Sequence, residues 1–180
     1  MKSLFKIELE APDPTIYDDT AGSSLIATIN KAIPGGMLFS STSPQFSVST
    51  YFSAGAPNTS VNNDSRMPAL PVIVIPGQTS DPVITNRTTS DVFAMTGYSV
   101  PAGSVTQIDM QHHTIRLGSM TELVDGRLPD GVGSNVFAYT TLTSEFWALA
   151  PGMNEISYDS SSGSDSASAV MYWRPGLRGI

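Results

Sequence analysis

Apolar and polar residues alternate with a period of two along much of this chain. Near the N-terminus, residues 4–9 place Phe5, Ile7 and Leu9 on one face. Residues 45–52 alternate in the same way. Because successive side chains of a strand point to opposite faces, this period predicts β-strands rather than helices.

The middle of the chain predicts a series of short strands. Residues 70–77 form an unbroken apolar run between turn residues, which is typical of a strand buried on both faces. Further predicted strands lie at residues 82–86, 92–98, 105–110 and 114–117. The last two are predicted to form a hairpin whose turn holds His112 and His113, and residues 121–135 are predicted to form a long loop.

The last third of the chain predicts a strand, a tight turn, a second strand, a Ser-rich loop and a terminal strand. Trp147 lies within the first of these strands, and Met171 and Trp173 share one face of the last. Pro151-Gly152 presets the turn, because proline fixes φ and glycine accepts a positive φ. A hairpin followed by a final strand is a way to close a sheet.

The remaining segments carry weaker patterns. Residues 25–33 fit either a short helix or a strand, and residues 53–66 are predicted to form a loop rich in small and polar residues. Fifteen glycines and thirteen prolines are spread among the short strands. The predicted fold class is therefore all-β, a β-sandwich or jelly roll with an N-terminal strand and arm.

The predicted organisation has two parts. Residues 1–66 hold the N-terminal strand, the arm and connecting loops, partly inside the sandwich, and residues 67–180 form the sandwich core. Within the first part, residues 19–44 are weakly patterned and contain several glycines and prolines. We expect this stretch to be mobile in the isolated protein and to order on other chains of an assembly.

Composition and charge exclude several classes of function. Charged residues make up 14% of the chain and the net charge is −7, with only nine Lys and Arg. Such a chain lacks the basic face that nucleic acid or anionic lipid requires. No apolar stretch is long enough for membrane insertion, and the alternating start does not read as a signal peptide, which predicts synthesis in the cytoplasm. The absence of cysteine excludes disulfides and thiolate metal sites.

Few residues suggest catalysis. His112 and His113 are adjacent, and neighbouring residues of a strand face opposite sides, so a place at a hairpin tip is favoured over a metal or acid–base site. Residues 125–131 lack the ligand spacing of a calcium loop and read as a plain acidic loop. We therefore predict no enzyme, no metal site and no cofactor. A hydrolase of the cell envelope is a rival that only the acidic residues favour.

Aromatic residues near the C-terminus are the remaining candidates for a site. The residues predicted as possible ligand or partner contacts are Trp147, Trp173, Tyr172 and Arg174. An aromatic ring on a sandwich face can stack on a sugar, although large rings more often fill a core. A carbohydrate-binding module, with a glycan as its ligand, is therefore the alternative function.

An ordered series of short motifs supports a resemblance to a known family. The motifs are Ala11-Pro12-Asp13-Pro14 with Tyr17, residues 71–77, residues 82–86 with Thr88-Thr89, Ala102-Gly103, Ile108-Asp109, residues 114–117, residues 146–156 and Trp173-Arg174-Pro175. In this order they resemble the C-terminal half of the distal tail, or minor tail, proteins of long-tailed bacteriophages. The resemblance covers nearly the whole chain and is clearest from Met67 onward.

The resemblance implies a structural protein of the virion, located at the tail tip. Such proteins connect the tail tube to the hub and the host-adsorption apparatus, and their C-terminal half is a galectin-like β-sandwich. The implied partners are other tail proteins, namely the tail tube, hub, tape measure or receptor-binding protein. The implied assembly is a homo-oligomeric ring, with a hexamer favoured and a trimer possible.

Overall fold

The computed structural model describes residues 16–17, 25–31, 58–162, 165–166 and 168–177. The strands of this part of the chain are β1 (Ile16–Tyr17), β2 (Leu25–Asn30), β3 (Thr59–Asn63), β4 (Val72–Pro76), β5 (Thr79–Ser80), β6 (Val83–Asn86), β7 (Asp91–Ala94), β8 (Ser99–Val100), β9 (Ser104–Asp109), β10 (Thr114–Ser119), β11 (Ser134–Asn135), β12 (Gly152–Asp159), β13 (Ser168–Trp173) and β14 (Gly176–Leu177). In the same residues, helix is limited to two short 3₁₀ turns at Met120–Glu122 and Phe137–Tyr139. The all-β prediction is confirmed.

Two antiparallel sheets pack face to face. One has six strands in the order β11-β10-β9-β4-β13-β2, and the other has four in the order β3-β12-β6-β7. One cluster of buried side chains joins them, with Ile73 from the six-stranded sheet and Ile84 and Ile156 from the four-stranded sheet. The predicted β-sandwich is therefore confirmed. The pairs β1–β14 and β5–β8 form two small additional sheets.

Strand β4 is buried on both faces, as its unbroken apolar run predicts. Ile73 and Ile75 point into the core between the sheets and are fully buried. Val74 points to the other face, where it packs with Val105 and Leu128. The outer face of the six-stranded sheet is thus covered by a second, smaller apolar cluster, and that cover determines the site described below.

Two strands correct the sequence interpretation. Residues 25–30 form strand β2 at the edge of the six-stranded sheet, and Ile29 is fully buried. For these residues the predicted ordering on another chain is wrong, because their apolar face packs into the domain's own core. Residues 59–63, predicted as a loop, form strand β3, whose polar sequence hides its pairing with β12. The division of the chain at residue 66 stays a prediction, and residues 4–9 and 45–52 lie outside the described residues.

The segment at residues 146–150 is extended, but it is not the regular strand that its alternation predicts. It forms one isolated bridge, in which Leu149 and Ala69, in the connection before β4, exchange backbone hydrogen bonds of 2.8 and 3.0 Å. The alternation itself is correct, because Trp147 and Leu149 are buried and their neighbours are half-buried. Gly152 has φ of +90°, in agreement with the predicted Pro-Gly turn.

The side chain of Asn154 supplies hydrogen bonds to the backbone of this turn, which pairs with no strand there. Its side-chain oxygen accepts from the backbone N–H of Ala150 at 2.9 Å, and its amide nitrogen donates to the carbonyls of Ala150 at 2.8 Å and Gly152 at 2.9 Å. Asn154 is fully buried. Backbone groups shielded from water without a partner are costly, so this one amide stabilises the turn that leads into β12.

We expect Asn154→Ala to destabilise the fold by about 2–4 kcal/mol, because it removes these three bonds, and a longer one from Asn86 at 3.5 Å, and leaves half-buried backbone groups without partners. Met153→Ala is the matched control, since Met153 is next to it in β12 but exposed. The control should change the free energy of unfolding by less than about 0.5 kcal/mol. Denaturant unfolding measures both, and equal effects of the two substitutions would show that Asn154 does not hold the turn.

Candidate functional site

A groove lies on the outer face of the six-stranded sheet. The connection from β10 to β11 crosses this face and places Leu128 over Val74 and Val105. Val72 and Tyr172, at neighbouring positions of β4 and β13, pack against the same cluster. The connection covers only part of the sheet, and the remaining space is a groove of about 520 Å³.

Two polar side chains of the sheet hold this connection in place. Gln107 accepts from the backbone N–H of Leu128 at 2.7 Å and donates to its carbonyl at 3.4 Å. Arg116 donates to the carbonyls of Pro129 at 2.5 Å, Val132 at 3.2 Å and Leu128 at 3.3 Å. Both side chains thus pair with backbone that would otherwise be buried without partners. Arg116 is also 3.8 Å from the exposed carboxylate of Asp130, a contact worth little in water.

A tight turn forms one wall of the groove. Val124 and Arg127 exchange backbone hydrogen bonds of 2.8 and 3.0 Å, and the two residues between them have positive φ, +50° at Asp125 and +76° at Gly126. This is the geometry of a type I′ turn, which favours the Asp-Gly pair. A Cβ on Gly126 would lie 2.1 Å from the Tyr172 hydroxyl oxygen, so only glycine allows the turn to approach the ring this closely.

The turn also places the guanidinium of Arg127 next to the Tyr172 ring. The guanidinium carbon of Arg127 lies 5.5 Å from the centre of the Tyr172 ring, within the range of a cation–π interaction. Arg127 and Tyr172 are both half-buried. The side chains that line the groove are Leu70, Val72, Gln107, Asp109, Gln111, His112, Arg116, Val124, Asp125, Arg127, Leu128, Pro129, Asp130, Tyr172, Trp173 and Arg174.

The tip of the β9–β10 hairpin forms the opposite rim, and the predicted hairpin is confirmed. One carboxylate oxygen of Asp109 accepts from the backbone N–H groups of Gln111 and His112, both at 2.9 Å. The other lies 2.8 Å from Nδ1 of His112, and this hydrogen bond, with the charge of Asp109, raises the pKa of His112 above its ordinary value. His113 has φ of +52° and packs on Phe146 instead, with ring centres 4.8 Å apart.

The two imidazoles therefore contact different residues: His112 bonds to Asp109, and His113 packs on Phe146. Only His112 lines the groove. Among the described residues, no group of three or more His, Cys, Asp or Glu is placed to hold a metal ion. Nor does any helix in the described part of the chain have the length and apolar character needed to cross a membrane.

The structure separates the four predicted contact residues. Tyr172, Trp173 and Arg174 line the groove, and Arg174 is exposed. Trp147 and Trp173 are only 3% and 6% exposed and belong to the core cluster. This burial leaves little indole surface to stack on a sugar, and a contact role for the four residues stays a prediction. Burial of large rings stabilises the sandwich instead.

Sequence reasoning missed Arg127 and Gly126. Residues 125–131 were interpreted as a plain acidic loop, whereas the Asp125-Gly126 pair is itself a recognised signal of a type I′ turn. The signal predicts the turn but not its contact with Tyr172, which is 46 positions away from Gly126 in the sequence and approaches only after the sheet has formed.

Comparisons with known proteins agree with this fold. The family model described as "Siphovirus-type tail component, C-terminal domain" matches residues 64–175. A solved structure, the Dit (gp 19.1) protein of SPP1, superposes with a TM-score of 0.57 at 11% sequence identity. The match covers 93% of this chain and 50% of that one, so this chain spans half the length of the solved protein. At this identity the likeness shows the fold alone. No curated protein sequence matches the chain.

We expect Gly126→Ala to destabilise the protein more than Gly131→Ala. Both glycines have similar positive φ, +76° and +78°, so both substitutions strain the backbone by about 1–2 kcal/mol. Only at Gly126 does the new Cβ meet another side chain, the Tyr172 hydroxyl. The difference between the two variants should shrink in a Tyr172→Phe background, because the hydroxyl is then absent. Denaturant unfolding of the four proteins checks this, and a difference that Tyr172→Phe leaves unchanged would contradict it.

The pKa of His112 should lie above 6.5, the ordinary value for histidine. Because folding raises this pKa, the stability that the pair contributes is fully present below the unfolded value and is lost as pH rises through the folded value. Asp109→Asn keeps an oxygen to accept from the turn but removes the charge, so it should bring the pKa back toward 6.5. NMR titration of the imidazole protons measures this, with His113 as an internal control, and an unchanged pKa in the variant would refute the assignment.

Proposed function

The chain belongs to the family of siphovirus-type tail components, and we propose that it is a non-enzymatic structural protein at the distal end of a bacteriophage tail. The observation that carries this proposal is the family match over residues 64–175, which includes β4, β9, β10, β12 and β13 of the sandwich. A role in the structure of the tail follows from the family. Its position at the tip of the virion, and its lack of enzymatic activity, are the finer parts of the proposal.

We further propose that the chain links the tail tube to the hub or the host-adsorption apparatus. The SPP1 protein that shares its fold is described as a paradigm of the hub adsorption apparatus in phages that infect Gram-positive bacteria. By that analogy the partners are the tail tube, hub, tape measure or receptor-binding protein. The analogy supports the role through the fold and does not identify which partner the chain meets.

An apolar edge of the sandwich supports contacts between copies of the chain. Residues 139–145 run beside β7 and bond to its backbone, for example from the N–H of Glu145 to the carbonyl of Val92 at 2.9 Å. Along and beside this segment, Phe137 is 47% exposed, Tyr139 42%, and Leu142 fully exposed. Exposed apolar side chains grouped in this way are typical of a protein interface. We assign this apolar edge to the contact between copies in a ring, for which a hexamer is favoured and a trimer possible.

If the proposal is right, purified particles of the phage that encodes this chain will contain it at the tail tip. Immunogold labelling should place gold at the end of the tail distal to the capsid, and labelling of a capsid protein in the same particles controls for access. Cryo-EM of the tail tip should show the two-sheet sandwich repeated around the tail axis. Particles that infect normally and hold no copy of the chain would remove the proposal.

A further inference from the structure

We propose that the groove beside Tyr172 binds an extended segment of another tail protein, and that a carboxylate of that segment binds the guanidinium of Arg127. This inference rests on the proposed function and adds to it a surface and the chemistry of the partner. The carboxylate belongs to an Asp or Glu side chain, and an apolar side chain lies next to it in the partner.

Arg127 is positioned in advance for such a contact. Its backbone is held in the type I′ turn by the two hydrogen bonds with Val124, and its guanidinium lies over the Tyr172 ring. The planar fork of a guanidinium matches the two oxygens of a carboxylate. Because the turn and the ring contact restrict the side chain, binding loses less rotamer entropy than it would with an arginine that has neither.

The groove holds a larger share of positive charge than the rest of the described residues. Three of the six described Lys and Arg residues line it, namely Arg116, Arg127 and Arg174, together with three of the eleven described Asp and Glu residues. The remaining described charges are three basic and eight acidic. Of the groove's carboxylates, Asp109 is engaged by His112. In a chain with a net charge of −7, this groove is therefore a place where a carboxylate meets balanced charge instead of repulsion.

Apolar side chains beside Arg127 specify the rest of the ligand. Val124 is 60% exposed on the turn, and Leu70 and Val72 lie on the same groove. A volume of about 520 Å³ admits a few side chains of a bound segment. A sugar is a poorer ligand, because the Arg127 guanidinium already occupies a face of the Tyr172 ring.

The contact with a second copy of the chain is assigned to a different surface from the groove. The apolar edge defined by Phe137, Tyr139 and Leu142 supplies a surface for contacts within a ring. The groove differs from that edge in carrying charge, which gives specificity for one partner rather than general adhesion. The two surfaces therefore suit the two kinds of contact that a linking protein needs.

Photo-crosslinking in assembled particles tests this inference. A photoreactive phenylalanine derivative replaces Val124 at the rim of the groove, and the same derivative at Ser60, exposed on the other sheet, is the control. Mass spectrometry of the products should identify one tail protein other than this chain, crosslinked through a segment that contains Asp or Glu. The Ser60 position should not give this product.

The effect of Arg127 substitutions on the crosslink yield distinguishes the proposed contact from simple proximity of the two proteins. In the crosslinker protein, Arg127→Gln should lower the yield about tenfold, because a charge-assisted bidentate contact is lost. Arg127→Lys, which keeps the charge but not the planar fork, should lower it less. Unfolding midpoints equal to that of the parent show that both variants are folded.

The outcomes distinguish this inference from the proposed function. If the chain is absent from particles, the proposed function fails and this inference fails with it. If the chain is present, the inference alone is overturned by no crosslink at Val124, by a yield that Arg127→Gln leaves unchanged, or by a product with a glycan, a second copy or a segment without a carboxylate.

Discussion

The burial of strand β4 on both faces is the constraint on which the rest of the structure depends. Ile73 and Ile75 need the four-stranded sheet on one side, and Val74 needs a cover on the other. Leaving either face in water would expose several large apolar side chains, each worth about 1.5–3 kcal/mol when buried. The fold therefore requires a third layer beyond its two sheets, and the β10–β11 connection supplies it through Leu128.

That requirement also explains why a groove exists where it does. The connection is held by Gln107 and Arg116 over one part of the sheet and ends in the turn that touches Tyr172. What the connection leaves uncovered is bounded by the turn, by the hairpin tip and by the outer face of β4 and β13. The same residues that complete the fold thus shape the surface proposed for a partner.

The sequence predicts those strands and turns whose structure depends on residues close to one another along the chain. The period of two and the turn residues predict the β9–β10 hairpin, and an apolar run predicts β4. The pattern fails for β3, because Asn63 is buried by hydrogen bonds of its amide to Met67 and Leu149 rather than by apolar character. It also fails for the site: Trp173 and Tyr172 are adjacent, yet the Trp173 ring belongs to the core and the Tyr172 ring packs with the small cluster on the outer face. Which face of β13 is outer follows only from the packing of the sheets.

Hydrogen exchange of the isolated chain and of assembled tails tests the central claim that the outer cover of β4 forms a protein contact. The account predicts that amides of β4 exchange slowly in both states, because both faces are already covered in the domain. Amides of residues 124–128, at the turn and its anchor, should exchange more slowly in the tail than in the isolated chain. Equal exchange of residues 124–128 in the two states would contradict the claim, and rapid exchange of β4 in the isolated chain would contradict the packing from which it follows.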